Sequence, residues 1–332
     1  MTTDILITGA AGFIGKAVLT ELSSKDQIDM DGAPQTIGNI LALDLSTDAL
    51  LDLADHDPRI RLISGSLADK DILHQIAAAQ PKVIVHLAAV VSSAAEADFR
   101  LGVDVNVNAT IGLIDVARQF NAAPLFVFSS SVAVFSCADN DTIDEDTLPR
   151  PMSSYGTQKL IGELMVRDAS RKGMIRGRTL RFPTISVRPG KPNAAASSFA
   201  SGIIREPLAG RQAVLPVGKD LRLHLASPER ACSNTLTAIA LPQDALHAET
   251  TITLPGVSVT VAEMLEALQK IGGDDAVGRV IEQHDTKVAQ IVRSWPGEIR
   301  TPRAEQMGFK ADESIEQIIE LHASLMPERS KS

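Results

Sequence analysis

Apolar runs alternate with polar or amphipathic stretches along the first half of the chain. Four short runs are almost wholly apolar, at residues 5–7, 37–43, 60–63 and 83–87, and each is followed by a polar or helical segment. Strands that are apolar throughout, rather than at every second position, are typical of a parallel sheet covered on both faces. The pattern therefore predicts an α/β fold in which strands and helices alternate, and residues 125–128 continue it.

The first apolar run ends in a glycine-rich turn. Residues 8–15 read Thr-Gly-Ala-Ala-Gly-Phe-Ile-Gly, and apolar residues then recur at helical spacing up to residue 22. A strand, a glycine turn and a helix in this order can bind a pyrophosphate, because glycines let backbone N–H groups approach it at the helix N-terminus. We therefore expect a dinucleotide site. The expected contacts in this turn are Gly9, Gly12, Phe13, Ile14 and Gly15.

An acidic residue, Asp44, follows the second apolar run. Its carboxylate can accept hydrogen bonds from the adenosine ribose hydroxyls and would repel a 2′-phosphate, which favours NAD over NADP. The separation from Gly9 is longer than usual because residues 23–36 are polar and rich in turn residues, and we expect them to form a surface loop. An ordinary loop-capping role for Asp44 stays open. Ser66 and Leu67 follow the third run, where they can flank an adenine.

A tyrosine and a lysine, Tyr155 and Lys159, stand one helical turn apart, so their side chains would share one face of a helix. A nearby ammonium and an oxidised nicotinamide both favour phenolate, which makes Tyr155 a candidate base. Ser129 to Ser131 lie upstream, where the strand predicted at residues 125–128 should end. Tyr155 is the sole tyrosine among 332 residues. The alternative interpretation is an exposed Tyr-Lys pair on an amphipathic helix.

Composition and charge exclude several classes of protein. With 41 acidic and 32 basic residues and no basic run, the chain is not expected to bind nucleic acid. The apolar runs are far shorter than the roughly 20 residues that span a bilayer, and the N-terminus has no cationic leader, so we expect a cytoplasmic protein without a membrane segment. Cys137 and Cys232 lack metal-ligand spacing, and no metal is expected.

Three motifs together resemble those of the extended short-chain dehydrogenase/reductases, the NAD-dependent epimerase/dehydratase family. They are the glycine turn at 8–15, Ser129-Ser-Ser131 and Tyr155-x-x-x-Lys159, and the resemblance covers essentially the whole chain. It implies a doubly wound parallel-sheet Rossmann domain with a smaller mixed α/β C-terminal domain. We expect the NAD-binding domain at residues 1–182, rejoined by part of 220–245, and a mainly substrate-binding domain at 183–332.

The resemblance also implies roles for single residues. Ser131 would assist the catalytic Tyr155, Lys159 would bind the nicotinamide ribose, and Asn106 would steady a water that relays protons to Lys159. The pair of helices around residues 106–117 and 155–169 would form the interface of a homodimer. Further residues that the resemblance places against NAD are Leu87, Ala88, Ala89, Ser129, Tyr155, Lys159 and Pro183.

Three stretches, at residues 88–99, 188–199 and 203–208, are similar to one subgroup of this family, the D-erythronate dehydrogenases. That subgroup uses NAD to oxidise the C2 hydroxyl of a four-carbon sugar acid to a 2-oxo acid. Such a substrate needs a cationic or hydrogen-bonding clamp for its carboxylate. The candidate substrate contacts are Ser92, Ser131, Tyr155, Arg188, Asn193, Ser197 and Arg222.

Two other functions stay open on the same scaffold. One is a nucleotide-sugar 4-epimerase or reductase, and the other is a protein that senses NAD without catalysis. The sensor is disfavoured because Tyr155, Lys159 and Ser131 form a proton relay that a sensor does not need. A 4,6-dehydratase is disfavoured because Val132 and Ala133 stand where that enzyme carries acids. His86 is expected to be a hydrogen-bonded core residue and not a ligand.

Overall fold

An eight-stranded sheet lies at the centre of the computed structural model, which describes residues 2–137, 141–190, 195–246 and 249–326. The strands of the whole structure are β1 (Thr2–Thr8), β2 (Gln27–Met30), β3 (Ala33–Asp44), β4 (Ile60–Ser64), β5 (Val83–His86), β6 (Leu125–Ser131), β7 (Thr142–Asp144), β8 (Arg176–Phe182), β9 (Thr184–Ile185), β10 (Ala213–Leu215), β11 (Arg222–Ala226), β12 (Thr251–Thr253), β13 (Val257–Thr260), β14 (Val280–Glu282) and β15 (Glu298–Arg300).

Helices follow most of these strands. They are α1 (Phe13–Ser23), α2 (Leu51–His56), α3 (Lys70–Ala79), α4 (Ser92–Ala97), α5 (Phe99–Gly102), α6 (Ala109–Ala117), α7 (Ser154–Arg171), α8 (Ser198–Leu208), α9 (Pro228–Ala240), α10 (Val261–Gly272), α11 (Asp274–Val277), α12 (Thr286–Arg293), α13 (Pro302–Gln306) and α14 (Ile315–Ser324). A π-helical stretch, Val103–Asn108, joins α5 to α6.

The central sheet has the strand order β12-β8-β6-β5-β1-β3, and β2 and β4 both pair with β3. All of its pairings are parallel except that between β2 and β3. Side chains alternate between its faces, so that Ile5 and Ile7 pack in the same core as α1 and α9, whereas Leu6 packs with α3, α6 and α7. Helices thus cover both faces, and the predicted doubly wound fold is confirmed.

Residues 23–36 do not form the expected surface loop, because β2 and the first half of β3 make an antiparallel hairpin within the central sheet. Met30 pairs with Ala33 around Asp31 and Gly32, whose φ values are +52° and +76°. An Asp-Gly pair with two positive φ values is typical of a type I′ hairpin turn. The Asp-Gly signal was present in the sequence, but the polar edge strand around it hides the alternation that would have revealed a strand.

Asp31 also anchors this hairpin to the middle of the molecule. Its carboxylate pairs with Arg176 and, at 2.6 Å, with Nη2 of Arg178. The Arg178 side chain is fully buried, and its Nη1 donates to the carbonyl groups of Ala238 and Ile239 at the end of α9. The ion pair therefore joins the hairpin, β8 and α9.

A second core lies beside the sheet and is built from α8, α10 and α14 together with the small sheet β13-β11-β9. The chain returns from it to the first core through α9, which packs on α1, and through β12, which pairs with β8. This return extends beyond the expected 220–245, to Thr253. The assignment of the two cores to cofactor and substrate stays a prediction. Within the described ranges, no helix is long and apolar enough to cross a membrane.

We predict that Asp31→Asn lowers the free energy of unfolding by about 2 to 3 kcal/mol, because it leaves the buried guanidinium of Arg178 without a counter-charge. Asparagine tolerates the positive φ of the turn, so the hairpin itself should persist. Denaturant-induced unfolding measures the loss. The matched control is Asp29→Asn, since Asp29 is exposed on the same hairpin, and a change in this control as large as in Asp31→Asn would contradict the prediction.

Candidate active site

A cavity of about 750 Å³ opens at the carboxyl edge of the central sheet, between the two cores. Strands β1, β3, β5, β6 and β8 all end at this edge, because parallel strands share one direction. Every residue expected to contact the cofactor lines the cavity. They are Gly9, Gly12, Phe13, Ile14, Gly15, Asp44, Ser66, Leu67, Leu87, Ala88, Ala89, Ser129, Tyr155, Lys159 and Pro183.

The glycine turn forms one wall and leads into α1, whose N-terminus has no side-chain cap. Gly9 has a φ of +71°, and a Cβ at this position would lie 2.8 Å from the backbone nitrogen of Ala88. No residue other than glycine fits there without moving the loop after β5. An uncapped helix end facing an open cavity offers backbone N–H groups to an anion, so this wall fits a pyrophosphate.

Asp44 stands at the end of β3, beside the glycine turn. Its Oδ2 accepts the N–H of Ala11 at 2.9 Å, and its Oδ1 accepts the N–H of Leu45 at 2.7 Å. The carboxylate therefore caps the loop and lines the cavity as well, so the two interpretations made from the sequence are compatible. It fits a group with hydroxyl donors and would repel a phosphate.

Lys159 is buried beneath the cavity, on α7. Its Nζ donates to the carbonyl oxygen of Ser129 at 2.7 Å and lies 5.8 Å from the centre of the Tyr155 ring. Burial lowers the pKa of Lys159 to about 7, and the charge of Glu163 opposes this shift. The tyrosine and the lysine thus share the inner face of one helix, as their spacing predicts.

Burial has the largest effect on the pKa of the Tyr155 phenol and raises it to about 12. The charge of Arg188 and a hydrogen bond with Ser131 lower that pKa but do not outweigh burial. We expected Lys159 to supply the charge that favours phenolate. The structure instead brings Arg188, from the loop after β9, to act on the phenol.

A buried ion pair fixes the serine cluster against α7. Ser130 donates to Oε1 of Glu163 at 2.5 Å, and Arg181 donates to both carboxylate oxygens of Glu163, at 2.9 and 2.8 Å. The end of β6, the end of β8 and the buried face of α7 are therefore held together. Ser131, the next residue, lines the cavity next to Tyr155.

Asn106 lies in the π-helical stretch and fixes the loop after β5. Its Oδ1 accepts the N–H of Val90 at 2.8 Å, and its Nδ2 donates to the carbonyl of Val90 at 3.0 Å and to Oε1 of Gln158 at 2.7 Å. Asn106 thus positions a wall of the cavity and the residue before Lys159. The water expected between Asn106 and Lys159 stays a prediction.

His86 is a core residue, as expected. Its Nδ1 lies 2.7 Å from the hydroxyl of Thr8 and its Nε2 lies 2.9 Å from that of Thr110. Burial, together with the charge of Lys159, lowers its pKa to about 3, so the ring is neutral. Among the residues that the structure describes, no group of three or more His, Cys, Asp or Glu side chains could hold a metal ion.

The candidate substrate contacts divide into two sets. Those that line the cavity are Ser92, Ser131, Tyr155, Arg188 and Ser197. Arg222 is outside the lining. It is the first residue of β11, and its Nη1 lies 3.4 Å from the carbonyl oxygen of Ser258. The opposite end of β11 pairs with β9 and adjoins the cavity. Because a strand rises about 3.3 Å per residue, the length of β11 separates Arg222 from the site. Asn193 lies outside the described residues.

Arg188 is held in the cavity wall by several contacts. Its Nε donates to the carbonyl of Ile185 at 2.9 Å, its Nη2 donates to the hydroxyl of Ser197 at 2.9 Å, and its guanidinium carbon lies 5.5 Å from the centre of the Phe13 ring. Burial lowers the pKa of Arg188 to about 10, which still leaves it charged at neutral pH. In the described part of the lining, Arg188 and Lys159 are the basic side chains.

Sequence reasoning missed part of the lining. Leu101, Asp104 and Val105, from α5 and the π-helical stretch, border the cavity, and so does Trp295. Trp295 also packs in the second core, so it links that core to the site. The sequence of α5 and of the π-helical stretch gives no signal for these positions, because only the packed fold decides which side of these segments borders the cavity.

Comparison with known proteins agrees with this geometry. Residues 5–225 match the NAD dependent epimerase/dehydratase family. The chain is 43% identical over 316 residues to D-erythronate dehydrogenase of Cupriavidus necator, with 95% of this chain and 96% of the relative covered. It is 38% identical over 317 residues to D-erythronate dehydrogenase of Haemophilus influenzae, with 95% and 97% covered. A solved structure, the nucleoside-diphosphate-sugar epimerase from Agrobacterium tumefaciens, superposes with a TM-score of 0.88 at 34% identity, covering 98% of this chain and 95% of that one.

We predict that the single tyrosine stays un-ionised up to about pH 10.5, because burial raises the pKa of Tyr155 above the ordinary value of about 10. Phenolate absorbance measures the titration, and circular dichroism checks that the fold is intact. Tyr155→Phe is the blank, since it removes the only tyrosine. A titration at or below pH 10 in the folded protein would contradict the assignment.

Proposed function

The chain belongs to the NAD dependent epimerase/dehydratase family, and we propose that it is a dehydrogenase that oxidises the C2 hydroxyl of D-erythronate to a 2-oxo acid with NAD. One observation carries this proposal: a partly buried arginine, Arg188, lies in the same cavity as Tyr155, Ser131 and Lys159. A base with an adjacent cation suits a small molecule that has a carboxylate beside its reacting hydroxyl. The names of two full-length relatives support the same substrate.

The lining fits NAD along its whole length. The glycine turn and the first turn of α1 would bind the pyrophosphate, and Asp44 would accept the ribose hydroxyls and disfavour the 2′-phosphate of NADP. Lys159 would bind the nicotinamide ribose, and Pro183 would face the nicotinamide amide. When bound, NAD supplies an acceptor for the hydride that leaves C2 of the substrate.

Residues of the chain accept the proton and bind the substrate. The Tyr155 oxygen takes the proton of the C2 hydroxyl, and Ser131 donates a hydrogen bond to the same oxygen of the substrate. Arg188 binds the carboxylate and orients C2 above the phenol. Because burial raises the pKa of Tyr155, the positive charge of Arg188 is needed close to it to make phenolate accessible.

A nucleotide-sugar 4-epimerase is the second candidate, and the Agrobacterium tumefaciens neighbour favours it. An epimerase returns the hydride to its substrate, so it would consume no net NAD. A sugar nucleotide would also bring a diphosphate into the half of the cavity that contains Arg188. The two functions therefore differ in whether NADH accumulates and in which compound binds.

We predict that the protein reduces NAD with D-erythronate, that it reduces NADP to NADPH more slowly, and that UDP-sugars give no net reduction of either cofactor. Tyr155→Phe should lower kcat at least about 100-fold, because it removes the proton acceptor. Thr157→Ala, which changes an exposed hydroxyl on the same helix, is the matched control and should keep wild-type activity. Absorbance of NADH measures each rate. If Tyr155→Phe kept most of its kcat, the proposed mechanism would be wrong.

We also propose that the chain forms a homodimer through α6 and α7. Three large apolar side chains on these helices are exposed, Ile111 at 37%, Ile161 at 38% and Leu164 at 56%. The helices pack side by side, so the exposed side chains can form one continuous apolar surface, which is typical of an association site. This surface supports the dimer that the family resemblance implies.

We predict that the wild-type protein is a dimer and that Leu164→Glu is a monomer, because a carboxylate would be buried without a partner in the interface. Analytical ultracentrifugation measures the mass. Leu51→Glu is the matched control: Leu51 is 51% exposed on α2, next to β4 at the edge of the sheet, and its substitution should leave the dimer intact. A monomeric wild-type protein at micromolar concentration would overturn the proposal.

A further inference from the structure

One face of α8 carries three polar residues at intervals of four, and all three contact Arg188. They are Ser197, just before the helix, and Ser201 and Arg205 within it. Residues four apart lie one above the other on a helix, so these side chains form a single row. Each contacts a different group of the same arginine.

The contacts divide between the side chain and the main chain of Arg188. The hydroxyl of Ser197 accepts Nη2 of Arg188 at 2.9 Å, the hydroxyl of Ser201 accepts its backbone N–H at 3.0 Å, and Nη1 of Arg205 donates to its carbonyl oxygen at 2.8 Å. All three side chains of the row are buried. An arginine has many rotamers in solution, and these contacts fix both ends of this one.

An arginine at position 205 does not favour the stability of the fold. It is buried, its Nη2 has no hydrogen-bond partner among the described residues, and its charge lowers the pKa of Arg188. Its Nε donates to Glu206 at 2.8 Å, but Arg211 also pairs with Glu206. A buried cation beside another cation, with one hydrogen-bonding group unsatisfied, destabilises a fold. Its presence suggests a role in binding.

We propose that Ser201 and Arg205 are positioning residues that hold Arg188 ready for a substrate carboxylate and so set the preference for an acid over a neutral analogue. This rests on the proposed function, in which Arg188 binds that carboxylate. A guanidinium fixed before binding loses less conformational freedom when the ligand arrives. The second buried cation, Arg205, also leaves an excess of positive charge that an anionic substrate offsets and a neutral one does not.

The test compares D-erythronate with its primary amide, which has the same shape and the same C2 hydroxyl but no charge. For Arg205→Met and Ser201→Ala we expect the ratio of kcat/KM, acid over amide, to fall roughly three- to ten-fold, mainly through KM for the acid. The values for the amide should stay near wild type. Arg205→Met leaves Glu206 paired with Arg211, so no buried carboxylate is left alone.

Stability separates this role from a structural one. The matched control is Arg211→Met, which removes the other ion pair of Glu206 but has no contact with Arg188 in the described structure, and it should leave the ratio unchanged. Arg205→Lys, which keeps a cationic donor, should restore part of the ratio. Thermal unfolding of Arg205→Met should be no earlier than that of the wild type. Parallel losses on both substrates together with a lower Tm would overturn the inference.

Arg188→Met and direct binding separate this inference from the proposed function. Calorimetric titration with the acid and the amide needs no turnover, and Arg188→Met should reduce the preference for the acid roughly ten- to hundred-fold. If the wild type binds the acid preferentially but forms no NADH, the proposed reaction fails, and the positioning role is then decided by the same titrations on Arg205→Met. If Arg188→Met changes nothing, both the carboxylate clamp and the positioning role are overturned. If Arg188→Met loses the preference and Arg205→Met keeps it, the positioning role alone is wrong.

Discussion

The contact between Lys159 and the main chain of β6 sets the position of most groups in the cavity. Its ammonium donates to the carbonyl of Ser129, and one turn further along α7 Glu163 accepts the hydroxyl of Ser130 and pairs with Arg181. The helix comes this close because it has a glycine, Gly162, where a Cβ would collide with the ring of Phe128. Two consecutive turns of one helix are thus fixed to the end of one strand. Such rigid support is what catalytic geometry requires.

Burying a phenol and two cations together reverses their usual order of proton affinity. Burial moves every group toward its neutral form, so the pKa of Lys159 falls to about 7 and that of Tyr155 rises to about 12. A phenol in this state holds its proton more firmly than in water. Its capacity to act as a base therefore depends on positive charge placed near it, and the structure provides that charge through Arg188. In the proposed mechanism, Arg188 is both the cation that binds the substrate carboxylate and the cation that favours phenolate.

The half of the site that would bind the cofactor could be predicted from the sequence. Its residues follow apolar strands directly, and the ends of parallel strands meet at one edge whatever the details of packing. The hairpin at Asp31 was missed because its strands are mostly polar, although its Asp-Gly turn was visible. Arg222 was misplaced because the direction and register of β11 decide which end of that strand meets the cavity. The pKa of Tyr155 could not be predicted, since burial is a property of the fold.

The half of the site that would bind the substrate depends on contacts between segments that show no shared pattern. Ser201 and Arg205 look like ordinary polar positions of an amphipathic helix, and their role follows from α8 lying against the loop that carries Arg188. A helix-to-loop contact of this kind can change by single substitutions while Tyr155 and Lys159 stay in place. One catalytic arrangement can therefore serve several substrates, and the row on α8 is where we expect such relatives to differ.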